Sequence, residues 1–189
     1  YLEDTKVDIP VFNAIGNHDH NHAPKGEMFN DETVYLSRAD YHREAGPEYY
    51  SFNIGKVHYV IVNDISFSRK NYRNKYRLGL EYWHYKWLER DLQFVPKDHT
   101  IVICGHAQLF RQFNKKDPDG KKNLSYARYS KLLSQDARVY SWSGHYHYNF
   151  GYDYANSTNE AHEPLKNIAS ICVARATGGL HCNRDLYND

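Results

Sequence analysis

Ile15-Gly16-Asn17-His18-Asp19 closes an apolar run, Ile9-Pro10-Val11-Phe12-Asn13-Ala14-Ile15, and sets an amide, an imidazole and a carboxylate at three consecutive positions. An apolar run ending in a glycine turn reads as a buried strand that delivers polar side chains to the rim of a sheet, where α/β folds place their ligands. Asn17 offers an uncharged amide oxygen, a hard ligand. His18 exchanges a proton near neutral pH, and Asp19 can fix its tautomer and orientation. Alone, the stretch is a weak signal and reads more readily as a capped turn with a surface histidine.

Two later stretches repeat the pattern. Cys104-Gly105-His106 ends the apolar run Thr100-Ile101-Val102-Ile103, and Gly144-His145-Tyr146-His147 follows Val139-Tyr140-Ser141-Trp142. Packing alone does not explain three strand ends that each carry a glycine and then a histidine. His145 and His147 are two apart, so in an extended segment both rings would lie on one side. Asn, His and His-x-His arriving from successive strand ends predict a metal site.

With these motifs the sequence resembles the calcineurin-like metallophosphoesterase family. Gly16-Asn17-His18-Asp19 matches its GNH(D/E) motif, Gly105-His106 its GH motif and Gly144-His145-Tyr146-His147 its GHxH motif, in the family's order from about Ile9 to Phe150. The resemblance implies a layered α/β fold, a distorted β-sandwich flanked by helices, with two metal ions that hydrolyse phosphate esters. It implies that Asn17, His106 and His145 bind one ion and His147 the other. It also implies that His18 contacts the phosphate and protonates the leaving oxygen, with Asp19 beside it.

The family's DxH and GD motifs, which lie upstream of GNH(D/E), have no match. Sixteen residues precede Asn17, and Tyr1 to Asp8 contains neither motif. Asn and neutral His ligands also give two mutually repelling ions no negative charge, which a bridging carboxylate normally supplies. Asp4 and Asp8 are weak stand-ins, because neither sits in a strand-end glycine turn. Residues 1–189 are therefore expected to form one partial catalytic domain whose N-terminal strands, and half of whose site, belong to a missing N-terminal part of the same domain. Without that part, the strand ending at Ile15 would expose an apolar edge. Histidine suits zinc, iron or manganese and the Asn oxygen suits manganese or calcium, so the two divalent or trivalent ions stay unidentified.

Composition bounds the alternatives. The 189 residues are 41% hydrophobic and 25% charged, with a net charge of +1, ordinary for a globular domain. No apolar run approaches the roughly 20 residues a membrane-spanning helix needs. The chain starts with Tyr1 rather than Met, so a signal peptide and the compartment stay open. Cys104, Cys172 and Cys182 are an odd count without CxxC spacing. Cys104 and Cys172 read as core residues, and a Cys172–Cys182 bridge is conceivable. The 18 tyrosines suit half-buried sheet surfaces better than a sugar pocket.

The remaining elements frame the site. Thr33 to Glu44 predicts a short helix ended by Gly46-Pro47, and Tyr49-Ile54 with Val57-Val62 predicts a hairpin closed by Gly55-Lys56 as a type II′ turn. Val57-Val62 reads as a central strand buried on both faces, with His58 a satisfied sheet residue. Ser68 to Arg77 mixes five basic residues with Tyr72 and Tyr76. A near-neutral chain disfavours nucleic-acid binding there, and a solvated loop steering an anionic substrate fits better. Leu80, Trp83, Trp87, Leu88, Leu92 and Val95 recur at helical spacing and predict a core-facing stripe. His20 and His22 read as solvated. Asn114 to Asn123 reads as a charged loop, Tyr126 to Leu133 as a short helix, Asn149 to Pro164 as loop and Ile168 to Val173 as the last strand. A non-catalytic metal-binding domain that keeps one ion through Asn17, His106 and His145 is the alternative.

Overall fold

A computed structural model describes residues 9–20, 30–67, 76–107, 133, 137–147, 149–153 and 167–173. His22, most of the basic stretch, the loop at 114–123, Tyr126 to Leu132, Cys182, Asp4 and Asp8 lie outside the described residues.

Helix α1 (Asp31–Leu36) begins where the Asn30 side chain accepts from the Thr33 amide at 2.8 Å and Thr33 Oγ1 accepts from the Asn30 amide at 3.1 Å. This reciprocal cap satisfies two donors that a helix start leaves open. Helix α2 (Ala39–Ala45) follows and stops at Gly46. Strands β1 (Tyr50–Ile54) and β2 (Val57–Ile61) form the expected antiparallel hairpin. Gly55 takes φ 57° while Lys56 stays out of the left-handed region, as a type II′ turn requires. A short antiparallel pair, β3 (Ile65–Ser66) with β4 (Arg77–Leu78), leads to α3 (Tyr82–Asp91) and a 3-10 turn at Leu92–Phe94. Strands β5 (Thr100–Cys104), β6 (Val139–Ser143), β7 (Phe150–Asp153) and β8 (Ile168–Cys172) complete a six-stranded mixed sheet.

The sheet order is β1-β2-β5-β6-β8-β7, with β2, β5, β6 and β8 mutually parallel and the outer strands antiparallel. Four parallel strands bring their carboxyl ends to one edge. There Asn63-Asp64, Gly105-His106 and Gly144 to His147 leave β2, β5 and β6 side by side. The arrangement is an α/β fold with its polar turns gathered at that edge.

One sheet face is packed by α3. Val60, Ile101, Ile103, Val139 and Ile168 meet Leu88, Leu92 and Leu133 in the core. Each such side chain contributes about 1.5–3 kcal/mol by leaving water. Facing the other way, Tyr59 is half-buried, and Ile54, Trp142 and Ile171 are exposed. Strand β2 is therefore central, with half-buried Val57 and Tyr59 beside buried His58 and Val60, and it is buried on both faces at its carboxyl end, through Val60, Ile61 and Val62.

Three local expectations are corrected. Residues 9–16 form no strand. Ile9, Val11 and Phe12 are exposed, Phe12 stacks on Phe52 at 4.0 Å and Tyr50 Oη donates to the Asn13 carbonyl at 3.0 Å. Among the described residues the segment is held by ring stacking and side-chain bonds rather than by a ladder. Trp83 is 75% exposed, because His84, one residue along and about 100° around the helix, takes the inward position. Phe150–Asp153, expected as loop, pairs with β8. His58 is satisfied as expected, with Nδ1 at 2.9 Å from Asn53 Oδ1 and Nε2 at 2.8 Å from Asp91 Oδ2.

Burial holds the His84 ring down at about 4, opposed by the Glu48 carboxylate and assisted by Arg38. The unfolded ring titrates near 6.5, so the unfolded chain gains a proton first as pH falls. Stability is therefore expected to fall from about pH 6.5 toward pH 4, and a ring titration by NMR should show His84 half-protonated near 4. A midpoint near 6.5 would mean that the ring is solvated.

Candidate metal and phosphate site

The turn after Ile15 is closed by two bonds. The Asp19 amide donates to the Gly16 carbonyl at 3.1 Å, and the Gly16 amide donates to Asp19 Oδ2 at 2.7 Å. Asp19 therefore holds backbone, a different task from steadying the His18 ring. His18 and Asp19 are exposed and Asn17 is half-buried. Asn17 Nδ2 donates to Tyr76 Oη at 3.1 Å, which leaves Oδ1 as the atom able to serve as a ligand.

Gly16 touches the second motif. A Cβ at Gly16 would lie 2.7 Å from His106 Nδ1 and 3.0 Å from its Cε1, so only glycine lets the ring seat here. The His106 ring lies against His145, with Nε2 2.9 Å from His145 Nδ1 and ring centroids 4.8 Å apart. Backbone bonds tie the two turns together, from Gly105 to the Trp142 carbonyl at 3.1 Å and from Gly144 to the His106 carbonyl at 2.9 Å. Cys172 Sγ donates to the Gly144 carbonyl at 3.0 Å from the next strand. Tyr76 closes the far side, its ring edge-on to His145 at 6.4 Å.

His145 and His147 do not sit in an extended segment. Strand β6 ends at Ser143, and both histidines adopt left-handed backbone, at φ 68° and 63°. Such a conformation costs a non-glycine residue about 1–2 kcal/mol. Two left-handed histidines in one turn mark strain of the kind that clusters at functional sites. In this turn the His145 ring lies against His106.

The electrostatics fit a cluster of neutral imidazoles. Burial pushes His106 down to about 4, and the His145, His18 and His147 charges act in the same direction. His145 is lowered by burial first and then by His147 and His18. Neutral imidazole is the ligating form. Two imidazole nitrogens on one ion, each about 2.0–2.1 Å from it, stand roughly 2.9–3.4 Å apart for right-angle to tetrahedral geometry. The His106–His145 separation of 2.9 Å falls within that range, so the pair fits an ion in place of a shared proton. Among the described residues no three His, Cys, Asp or Glu side chains form a complete cage. The structure pairs His106 with His145, packs Gly16 against them, and leaves Asn17, His18 and His147 around the pair.

Two residues escaped the sequence reading. His20, expected to be solvated, is buried edge-on to Phe67 at 5.0 Å with Nδ1 3.5 Å from Ser37 Oγ. Burial, reinforced by the Arg38, His106 and His42 charges, holds it near 4. Asp64 is the more consequential omission. It is buried, its Oδ1 accepts from the His106 amide at 3.2 Å and its Oδ2 from the Ala107 amide at 2.6 Å. Burial pushes its carboxyl up to about 7, against the pull of the Ala107 and His106 amides and its own. The available signal was an acidic residue two places after the apolar run that ends at Val62, as His106 stands two places after the run that ends at Cys104.

No family model matches the chain. Among curated proteins it is 29% identical over 154 residues to serine/threonine-protein phosphatase CPPED1 of Pongo abelii, an alignment covering 78% of this chain and 45% of that protein. It is 27% identical over 154 residues to the protein of that name in Homo sapiens, and 29% identical over 160 residues to that of Bos taurus. Among the described residues no helix is long and apolar enough to cross a membrane. The chain is thus distantly similar to proteins named as phosphatases, and it spans about 45% of the length of the first of these relatives.

Proposed function

We propose that this chain carries part of the active centre of a metal-dependent phosphoesterase acting on phosphomonoesters or diesters. The observation behind this reading is the 2.9 Å approach of His106 Nε2 and His145 Nδ1, two imidazoles at adjacent parallel strand ends. The relatives' name, a serine/threonine-protein phosphatase, supports a phosphate ester as the substrate class. Asn17, His106 and His145 would hold one ion and His147 would contribute to a second, as in the calcineurin-like pattern. The bridging carboxylate and the other ligands would come from chain upstream. When bound, the ions supply Lewis-acid activation of a water and of the phosphoryl oxygen.

The chain's own groups do the rest. His18, exposed beside Asn17, contacts the phosphate and gives a proton to the departing oxygen. Asp19 keeps the turn closed through Gly16, and Tyr76 engages the Asn17 amide nitrogen and leaves its oxygen to serve as a ligand.

The test is metal content per chain by elemental analysis, on this chain and on a form extended upstream to the relatives' length, with hydrolysis of p-nitrophenyl phosphate before and after chelation. Two metals only in the longer form, and hydrolysis that chelation abolishes and Mn²⁺ or Zn²⁺ restores, is the expected result. Two metals in the short chain would show that the site is complete within it. No metal in either would end the phosphoesterase reading.

A further inference from the structure

Strand β5 ends at Cys104, so the amides of His106 and Ala107 lie beyond the ladder. Both are instead held by one side chain from the neighbouring strand end, Asp64, one oxygen to each. A carboxylate in a dry interior is costly unless such donors satisfy it. The approach is close on every side. A Cβ at Gly105 would lie 3.1 Å from Asp64 Oδ2 and 3.0 Å from Val62 Cγ2.

The segment that carries Asp64 is itself braced. Asn63 Oδ1 accepts from the Ile65 amide at 2.9 Å, and Asn63 Nδ2 donates to Glu48 Oε2 at 2.5 Å. The same Glu48 oxygen accepts from Arg38 at 2.7 Å, in a largely buried pair. The Asp64 carbonyl accepts from the Gly79 amide at 2.7 Å, three residues after Tyr76, whose hydroxyl holds Asn17. One residue therefore anchors the His106 turn through its side chain and the Tyr76 segment through its backbone.

We infer that Asp64 is a positioning residue, whose buried carboxylate fixes the His106–Ala107 turn and so sets the His106 imidazole against His145 and in register with Asn17. Buried, with each oxygen accepting from a backbone amide, it acts on the site through the turn it holds and not by contact with substrate. The inference rests on the metal reading proposed above, but the ring geometry it explains exists without metal.

Asp64→Asn tests it in the full chain. Asparagine has the same shape, yet one of its two terminal atoms is a donor and must face an amide N–H, so one of the two bonds is replaced by a clash. The expected result has two parts. The His106–His145 ring contact, read from imidazole ¹⁵N shifts of the metal-free chain, is lost, and Mn²⁺ binding by titration calorimetry weakens about 10- to 100-fold, the usual size for an orienting partner. Val60→Ala, in the core away from this turn, lowers stability but should leave the ring shifts and Mn²⁺ affinity within twofold. Unchanged ring shifts in a folded Asp64→Asn chain would overturn the inference, and so would equal effects of Val60→Ala. If the variant does not fold, hydrogen exchange in the unmodified chain decides. The His106 and Ala107 amides should be protected like that of Ile103, and free exchange at either would overturn the clamp. Failure of the form extended upstream to bind Mn²⁺ would count against the metal reading alone, since the ring and exchange measurements still judge Asp64.

Discussion

His18→Ala is expected to lower kcat for an alkyl phosphate monoester by roughly 10²- to 10⁴-fold, the usual contribution of a positioned general acid, while metal content per chain stays unchanged. His18 is exposed on the turn beside Asn17, outside the His106–His145 pair, yet close enough for its charge to depress both of those rings. On the proposed reading, a residue so placed would reach an incoming phosphate without holding an ion. The leaving group supplies a second readout. An alkoxide needs a proton as it departs and p-nitrophenolate hardly does, so the loss should be much smaller on p-nitrophenyl phosphate. Parallel loss of metal and rate, or equal loss on the two substrates, would make His18 a structural residue. The kinetics belong to the form extended upstream if only that form proves active.

Gly16→Ala is expected to have a comparably large effect by an unrelated route. Its Cβ would be placed 2.7 Å from His106 Nδ1 and 3.2 Å from Cγ, well inside contact distance. The ring cannot swing aside freely, because Nε2 is engaged by His145 and the His106 amide by Asp64. Relief must come from rotating the imidazole out of its pair or from moving the turn. Overpacking of this kind costs about 1–3 kcal/mol of stability. If His106 is a ligand as proposed, displacing it should weaken Mn²⁺ binding at least as much as losing an orienting partner, about 10- to 100-fold or more. Gly46→Ala is the control, since nothing lies within 4 Å of its Cβ although φ is +92°. It should cost stability through backbone strain and leave Mn²⁺ affinity unaltered. Equal Mn²⁺ affinity in the Gly16→Ala chain would show that the contact does not constrain His106.

The histidine-bearing strand ends were legible because a buried parallel strand must be an apolar run, and the polar residue that ends the run must emerge at the sheet edge. Thr100–Cys104 and Val139–Ser143 follow that rule, and so does the hairpin at Tyr50–Ile61, where Gly55 announces its turn. Ile9 to Ile15 obeys the same pattern and is not a strand. An apolar run becomes a strand only if a neighbouring backbone accepts its hydrogen bonds, and that partner is invisible in the run itself. Trp83 failed for a related reason. Helical spacing gives a stripe about 100° wide without deciding which edge of the stripe faces the sheet, and His84 holds the inward place.

What the sequence by itself determined is chemical identity: which residues end the apolar runs, and therefore that an amide and several imidazoles gather at one edge of a sheet. The tertiary structure alone decided their geometry. It turned His145 and His147 into left-handed backbone, paired His106 with His145, and gave Asp19 to the Gly16 amide. It also brought Asp64 to amides 42 and 43 residues away. The reason is one of range. Burial and alternation are set by neighbours along the chain, whereas ring pairing, amide clamping and the van der Waals limit at Gly16 are set by atoms that become neighbours only when parallel strands align.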